Sequence, residues 1–342
     1  MQSHIIILLY IGVACVSGQD YYCYQYPTHS DAYNVKQDDH HLPEYYGYEP
    51  TCPDAEDIAP CVCTYVSGYK HLYLECSAVE NEEQLKQIFE ADFPTKNFKE
   101  FRIEQNNNLK VLEAGVFNGI SFDMLYIMYN KLEVIELQAL DSCYETTIEL
   151  HLYGNNITSF PFDEVSQFSK LCYFSIGGNS LSVIPADVFN GITALKYIYL
   201  SENKADIVGT FQDLPNLRDL YLYSNALTTI PADFVKTGSS NLSYIPLHYN
   251  NIVSVEPGAF DLVDGLDIYL GYNPLSTLDE ATWRPHLEAG GLLFAPHNPL
   301  VCDCDIAWLF GEDQLLEQVG DYTACSDGER LHDLDPSMFD NC

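Results

Sequence analysis

The chain has 342 residues, 47% of them hydrophobic, and its 50 acidic residues against 15 lysines and arginines give a formal net charge of −35. A surface this acidic repels the phosphates of nucleic acids and anionic lipids, so the composition argues against both as partners. It favours neutral or cationic partners, and the length suits two ordinary domains or one repeat array.

Residues 1–18 have the pattern of a secretory signal peptide. Ile5 to Val13 form a short apolar run, and Val16, Ser17 and Gly18 offer small residues for cleavage before Gln19. The run is not preceded by a lysine or arginine, and a buried strand or a short anchor is the alternative. We find no other stretch near the ~20 apolar residues of a membrane span and no hydrophobic tail for a lipid anchor, so we expect a secreted, extracellular protein.

Residues 19–51 form an acidic, tyrosine-rich tail that we predict to be disordered, since it lacks apolar periodicity. Asp38, Asp39, His40 and His41 could hold a metal, but nothing fixes them as ligands, and we expect no metal site. Tyrosines beside acids, such as Tyr45 and Tyr46 after Glu44, are candidates for sulfation.

Cysteines frame the rest of the chain. Four lie in residues 52–97 and four in residues 299–342: Cys52, Cys61, Cys63 and Cys76, then Cys302, Cys304, Cys325 and Cys342. Two clusters at the ends of a secreted array predict two disulfide-bonded caps, which would cover the apolar ends of the array. Zinc is the alternative for each cluster, but the paired CxxC spacing of zinc sites is absent.

Between the clusters, residues 98–298 repeat one nine-residue frame nine times. The frame is apolar at its first, fourth and sixth positions and ends in asparagine: Asn106, Asn130, Asn155, Asn179, Asn203, Asn225, Asn250, Asn273 and Asn298. Neighbouring asparagines are 22 to 25 residues apart. This period and frame predict an α/β leucine-rich-repeat solenoid with a parallel sheet on its concave face.

Alternation along each strand predicts the direction of the side chains. The fourth and sixth positions, such as Leu220 and Leu222, should point into the stack, and the third, fifth and seventh should point out from the sheet. The asparagine, with a donor and an acceptor, should satisfy backbone groups where the chain leaves the strand.

The two cysteine clusters resemble the caps of extracellular leucine-rich-repeat proteins. NPLVCDCDIAW (residues 298–308) looks like the C-terminal cap of that family, and the segment from Cys52 to Cys76 looks like its N-terminal cap. The resemblance implies the pairings Cys52–Cys63, Cys61–Cys76, Cys302–Cys325 and Cys304–Cys342. From the sequence alone each cluster allows three connectivities.

The stretch CVCTYVSGYKHLYLECS, at residues 61–77, is similar to a narrower group. These are small secreted arthropod proteins similar to the oplophorus-luciferin 2-monooxygenase non-catalytic subunit. That resemblance implies an accessory, partner-binding role without light-producing chemistry.

Cys15 lies in the predicted signal peptide, and three further cysteines and two sequons lie in the rest of the chain. Cys143 and Cys172, on neighbouring coils, could bridge or be two buried thiols, and Cys23 is left as an odd cysteine in the tail. Asn156 and Asn241 begin N-glycosylation sequons on predicted turns, and we expect glycans there.

The sequence lacks four common catalytic and cofactor-binding motifs. It has no GxSxG, HExxH, GxGxxG or phosphate loop, and His151, His248 and His297 lie on different strands without a matched base or nucleophile. We therefore expect no enzyme activity and no cofactor, and interpret these histidines as surface residues.

The outward positions of the frame are rich in tyrosine. The predicted partner-binding residues are Tyr126, Tyr153, Tyr173, Tyr197, Tyr199, Tyr221, Tyr223, Tyr244, Tyr249, Tyr269 and Tyr272, with Tyr129 also on this face. Adjacent strands lie about 4.8 Å apart, so Tyr199 and Tyr221 should stand side by side. Tyrosine also suits any half-wet strand surface, but broad aromatic faces are typical of interfaces.

Three functions fit this pattern. The chain could be a module that binds an extracellular protein ligand or receptor, an accessory subunit of a secreted enzyme such as a luciferase-type monooxygenase, or a matrix protein.

Overall fold

A computed structural model describes residues 49–260, 264–311 and 315–342. The predicted signal peptide and nearly all of the predicted tail, with Cys23 and the metal and sulfation candidates, lie outside these residues.

The described chain is built mainly from short strands. In chain order they are β1 (Val62–Val66), β2 (His71–Glu75), β3 (Asn97–Glu104), β4 (Val111–Leu112), β5 (Ser121–Met128), β6 (Val134–Ile135), β7 (Glu149–His151), β8 (Tyr173–Ser175), β9 (Val183–Pro185), β10 (Tyr197–Tyr199), β11 (Asp206–Val208), β12 (Phe211–Gln212), β13 (Asp219–Tyr221), β14 (Thr229–Ile230), β15 (Val235–Lys236), β16 (Tyr244–Pro246), β17 (Ser254–Val255), β18 (Asp267–Tyr269) and β19 (Leu293–Phe294).

Helices are few and short. The α-helices are α1 (Glu82–Phe89) and α2 (Glu280–Glu288), and the 3₁₀ helices are Asp141–Cys143, Phe162–Gln167, Ala186–Phe189, Cys304–Phe310, Leu315–Gln318, Leu331–Asp333 and Pro336–Phe339. None of the helices in the described ranges is long and apolar enough to cross a membrane.

The repeat strands form a parallel sheet in chain order. Its first part has the order β1-β2-β3-β5-β7-β8-β10-β13, in which β1 and β2 are antiparallel and the rest parallel, and its second part is β16-β18-β19. Pro246 in β16 has no N–H for a ladder bond with β13, which explains the interruption. The stack continues across it, since the amides of Leu222 and Ser224 donate to the carbonyls of Pro246 (3.3 Å) and His248 (3.0 Å).

The inward side chains make one continuous core. Leu220 and Leu222 are fully buried, as predicted, and so are their equivalents along the array. Opposite the sheet, the buried Phe189, Phe211 and Phe234 pack ring against ring from one coil to the next. Phe189 also contacts the ring of Phe174, an inward residue of β8. The fold is therefore the predicted solenoid, in which no coil buries its apolar face alone.

The asparagines join neighbouring coils by hydrogen bonds. The Asn225 side-chain amide donates to the carbonyls of Leu200 in the preceding coil (3.0 Å) and Leu222 in its own (3.1 Å). Its oxygen accepts from the amide of Ala205 (3.2 Å). The same pattern runs to Asn298, and it confirms the predicted role of this residue.

The eighth position of the frame is left-handed in all nine repeats, with φ between 55° and 73°. The residues are Gln105, Tyr129, Gly154, Gly178, Glu202, Ser224, Tyr249, Tyr272 and His297. Only two of them are glycine, although this region costs other residues about 1–2 kcal/mol. The asparagine bonds that follow hold the turn in place.

The ends of the array carry the disulfides that the resemblance implies. Cys52–Cys63 and Cys61–Cys76 lie around β1 and β2, and Cys302–Cys325 and Cys304–Cys342 tie the last 3₁₀ helices together. Asn81 caps α1 by accepting from the Gln84 amide (2.9 Å), and the buried side of the helix covers the first coil.

The possible bridge between Cys143 and Cys172 is excluded. Cys143 is a free, buried thiol, and burial raises its pKa to about 11. Cys172 is disulfide-bonded, so its partner is a different cysteine. Cys143 instead contacts polar neighbours in its own coil, with the Ser142 hydroxyl 3.9 Å from its Sγ.

Candidate protein-binding face

We call the outward third, fifth, seventh and eighth positions of the nine repeats the sheet face. Parallel pairing places these positions in rows that cross the strands, as in the register of Tyr197 with Asp219 and of Tyr199 with Tyr221. The predicted contact of Tyr199 and Tyr221 is confirmed: their rings stack at 4.6 Å between centroids and 14° between planes.

The central row forms a continuous aromatic ladder. Its rings, from β5 to β19, are Tyr126, His151, Tyr173, Tyr199, Tyr221, Tyr244, Tyr269 and Phe294, with neighbouring centroids 4.1 to 6.2 Å apart. Two strands have Ser175 or Pro246 at the fifth position, and there the third-position tyrosines Tyr173 and Tyr244 supply the ring. The ladder therefore has a ring from every repeat strand of the parallel sheet after β3.

A second set of rings lies at the strand ends. Tyr223 stacks on His248 (4.9 Å, 3°), and the row continues through Tyr249, Tyr272 and His297 at 4.4 and 4.3 Å. Tyr129 and Tyr153 make an edge-on pair near the start of the face. Tyr129, Tyr249 and Tyr272 are among the more exposed aromatic rings, at 40 to 45%.

Carboxylates accept hydrogen bonds from several of the phenols. Tyr126 donates to Glu149 (3.2 Å) and Tyr199 to Asp219 (3.2 Å), while the hydroxyls of Tyr221 and Tyr244 bond each other. Burial, and then the nearby Glu149, raise the pKa of Tyr126. Burial raises the pKa of Asp219, although the Tyr199 bond opposes the shift.

The charged side chains at the start of the face are paired within the first strand or with the next one. The Arg102 guanidinium donates to Glu100 (2.9 Å) and Glu104 (2.7 Å) and lies over the Tyr126 ring, 4.6 Å from its centroid. Lys99 pairs with Asp123 at 3.3 Å. This end of the face therefore joins a cation, carboxylates and an aromatic ring within one chain.

One predicted position differs from the expectation. Tyr197 was predicted to be an outward residue available for contact, but it is only 3% exposed. Its ring lies 5.8 Å from that of Tyr173. The other ten predicted tyrosines belong to the ladder or to the strand-end rings.

Three histidines belong to this face, which the sequence did not predict. His151 lies between Tyr126 and Tyr173 in the ladder, and His248 and His297 stack on Tyr223 and Tyr272. Their signal was available, since all three occupy outward positions of the frame. Burial lowers the pKa of His248 to about 4, so this ring is neutral at physiological pH.

The two sequon asparagines, Asn156 and Asn241, are exposed. Within the described ranges, no group of three or more His, Cys, Asp or Glu side chains could hold a metal.

Comparisons with known proteins agree with this architecture. The leucine-rich-repeat family model matches residues 146–204. The chain is 31% identical over 314 residues to the oplophorus-luciferin 2-monooxygenase non-catalytic subunit of Oplophorus gracilirostris, covering 84% of this chain and 87% of that protein. It is 26% identical over 260 residues to lumican of Coturnix japonica, covering 68% of this chain and 72% of that protein.

Solved structures show the same fold. Toll in the Drosophila Toll–Spatzle complex superposes with a TM-score of 0.54 at 22% identity, covering 71% of this chain and 36% of that chain. The structure of the TLR13–ssRNA13 complex gives a TM-score of 0.50 at 25% identity, covering 65% of this chain and 31% of that chain.

Proposed function

Because the chain belongs to the family of leucine-rich-repeat proteins that includes the oplophorus-luciferin 2-monooxygenase non-catalytic subunit, we propose that it is a secreted, non-enzymatic module whose sheet face binds another extracellular protein. The aromatic ladder is the observation that carries this proposal. Broad rows of tyrosine, with few rotatable bonds and an amphipathic ring, are what protein interfaces enrich.

The binding partner in this proposal is a protein. A net charge of −35 opposes contact with a nucleic-acid backbone or an anionic membrane. The partner needs apolar groups to cover the rings. It also needs polar groups to meet the phenols and the carboxylates that bond them, such as Glu149 and Asp219. Protein surfaces supply that mixture.

A secreted enzyme is the partner class that the relatives favour. The relative that covers 84% of this chain is, by its name, a non-catalytic subunit of a monooxygenase. An accessory role also agrees with the histidines of the sheet face, which stack on tyrosines and are not paired with a nucleophile there. A soluble ligand or receptor, or an insoluble matrix component, is the other outcome of the test below.

The secreted protein, residues 19–342, would be immobilised and exposed to the fluid into which its source secretes it. Tyr199→Ser with Tyr221→Ser removes two rungs of the ladder. Tyr69→Ser with Tyr322→Ser is the matched control, since both tyrosines lie in the end regions outside the ladder. We expect a stoichiometric protein on the parent and the control, and at least about tenfold less on the ladder variant.

The result also sorts the partner classes. An enzyme in the captured material supports the accessory role, and a ligand or receptor fragment supports a general binding module. Equal capture by a folded ladder variant would overturn the proposal.

A further inference from the structure

A partly apolar groove lies on the flank of the first three coils. It has a volume of about 570 Å³ and is lined by Ala114 and by residues 134–137 and 159–161. Leu137 is 62% exposed there, although large apolar side chains in this array are mostly buried. The lining residues lie outside the nine-residue frames, so the groove is separate from the sheet face.

One wall of the groove continues directly from a glycosylation sequon. Residues 156–159 run parallel to residues 132–135 of the coil before them. The amides of Asn156 and Thr158 donate to that coil at 2.9 Å each, and the Ser159 carbonyl accepts the amide of Ile135 at 3.1 Å. The sequon is therefore held in line with the groove, whose wall begins at Ser159.

Alternation along this segment sets the direction of the sequon side chains. Ile157 is fully buried, and Asn156 and Thr158 on either side of it are exposed. A glycan on Asn156 therefore begins on the outer surface of the coil. Ser159 lies three residues further on, about 10 Å along an extended chain. The first sugars of an N-glycan are long enough to cover that distance.

The groove offers the contacts that a sugar ring uses. Pyranose rings carry C–H groups on their faces and oxygen atoms on their edges, so they pack on apolar side chains and bond polar ones. Leu137, Phe160 and Pro161 supply apolar surface, and Glu136 and Ser159 supply oxygen atoms. The volume is within the range of about 300–1,000 Å³ that is usual for clefts holding small molecules.

We propose that the N-glycan of Asn156 folds back over this flank and places its first sugars in the groove, where they cover Leu137. The inference rests on the predicted glycosylation of Asn156 and is independent of the proposed partner. The glycan is joined to the coil that forms the groove wall, so its effective concentration there is high. A side chain of a second protein, the alternative occupant, has no such tether.

Footprinting of the secreted glycoprotein tests the inference. Peptide mapping first measures the glycan occupancy of Asn156. Hydroxyl-radical labelling is then compared between the parent and Asn156→Gln, which keeps an amide and removes the glycan. Leu137 should be labelled at least about threefold more in the variant, because an occupied cleft has most of its lining covered. Val253, which is 53% exposed on a later coil, should be labelled equally in both.

The second sequon supplies the matched control. Asn241 lies on a later coil, just before the strand of the seventh repeat. Asn241→Gln also removes one glycan, and it should leave the labelling of Leu137 unchanged.

Thermal unfolding gives an independent readout. Asn156→Gln should lower the melting temperature by about 2 °C or more in the parent and by less in a Leu137→Ser background, since the groove contact is already weakened there. Leu137 is exposed, so we expect Leu137→Ser to fold.

Equal labelling of Leu137 with and without the Asn156 glycan would overturn the inference, and so would a secreted protein that carries no glycan at Asn156. An increase at Leu137 in Asn241→Gln as large as that in Asn156→Gln would overturn it as well, since the groove would then not distinguish the two glycans. Protection of Leu137 that appears only when a second protein binds would assign the groove to that protein instead.

Discussion

The inward and outward sides of the same strands differ in how much they vary. Inward, each repeat places apolar side chains and an asparagine at the same positions, as Leu220, Leu222 and Asn225 do in β13 and just after it. Outward, the fifth position is arginine, tyrosine, histidine, serine, proline or phenylalanine. The inward set fixes the coil and the outward set is free to differ, so stability and recognition reside on opposite sides of one strand.

The largest test of this difference is the loss of one asparagine. Asn225→Ala removes bonds to the carbonyls of Leu200 and Leu222 and to the amide of Ala205, all of them in the buried interior. We expect the free energy of unfolding to fall by about 3–5 kcal/mol in chemical denaturation. Tyr223→Phe, on the outward side of the same strand, should cost less than about 1 kcal/mol. Equal losses of unfolding free energy in the two variants would contradict the difference between the inward and outward sides.

The caps close the inward side at its ends. Cys304→Ser leaves Cys342 without its bridge, which spans 38 residues of sequence, and uncovers the last coil. Loss of about 2–4 kcal/mol is expected, with reduced secretion, and both are measured by thermal unfolding and by the yield of secreted protein. A variant with the parent's melting curve and yield would show that the buried core does not need this disulfide-bonded cap.

On the outward side, protonation of His248 should lower the free energy of unfolding at acidic pH. The pKa of His248 is about 4 in the fold, because burial disfavours its charged form, against about 6.5 in the unfolded chain. The unfolded state therefore binds the proton more readily, so this residue's contribution is lost as the pH falls from 6.5 to 4. The loss approaches about 2–3 kcal/mol.

His248→Phe keeps the stack on Tyr223 and removes the titration. The difference in unfolding free energy between parent and variant should shift by that amount between pH 7 and pH 4. A difference that stays constant across this range would mean that His248 becomes charged without penalty.

The smallest effect concerns backbone strain at the boundary of the two sides. Ser224 is left-handed, with φ at 55°, where glycine carries no penalty from a Cβ. Ser224→Gly should raise the free energy of unfolding by up to about 1 kcal/mol, less what the flexible unfolded chain takes back. A clear loss of stability in denaturant titrations would show that the asparagine bonds, and not the conformation itself, govern this turn.

The sequence predicted the inward side better than the outward side. The frame gave the strands, the buried Leu220 and Leu222, and the contact of Tyr199 with Tyr221, because each depends only on the period and on alternation. It did not give the left-handed eighth positions, where the residue types vary, or the burial of Tyr197. Both depend on packing between coils.

The contact of Tyr153 with Glu202 was beyond prediction for the same reason. Tyr153 reaches that carboxylate across a whole repeat, and it can do so only because Gly177 and Gly178 leave space. A nine-residue pattern does not show which side chains make contact across a whole repeat. The partner of Cys172 was likewise open, since alternation places it near Cys143 but cannot pair them.

Side-chain footprinting of the complex with the captured partner tests most directly whether recognition lies on the outward side. Tyrosine nitration would be compared with and without the partner at Tyr129, Tyr249 and Tyr272 on the sheet face and at Tyr322, which is 69% exposed in the C-terminal region. We predict strong protection of the three face tyrosines and no change at Tyr322. Protection of Tyr322 with unchanged nitration of the face would contradict the assignment of recognition to the outward side.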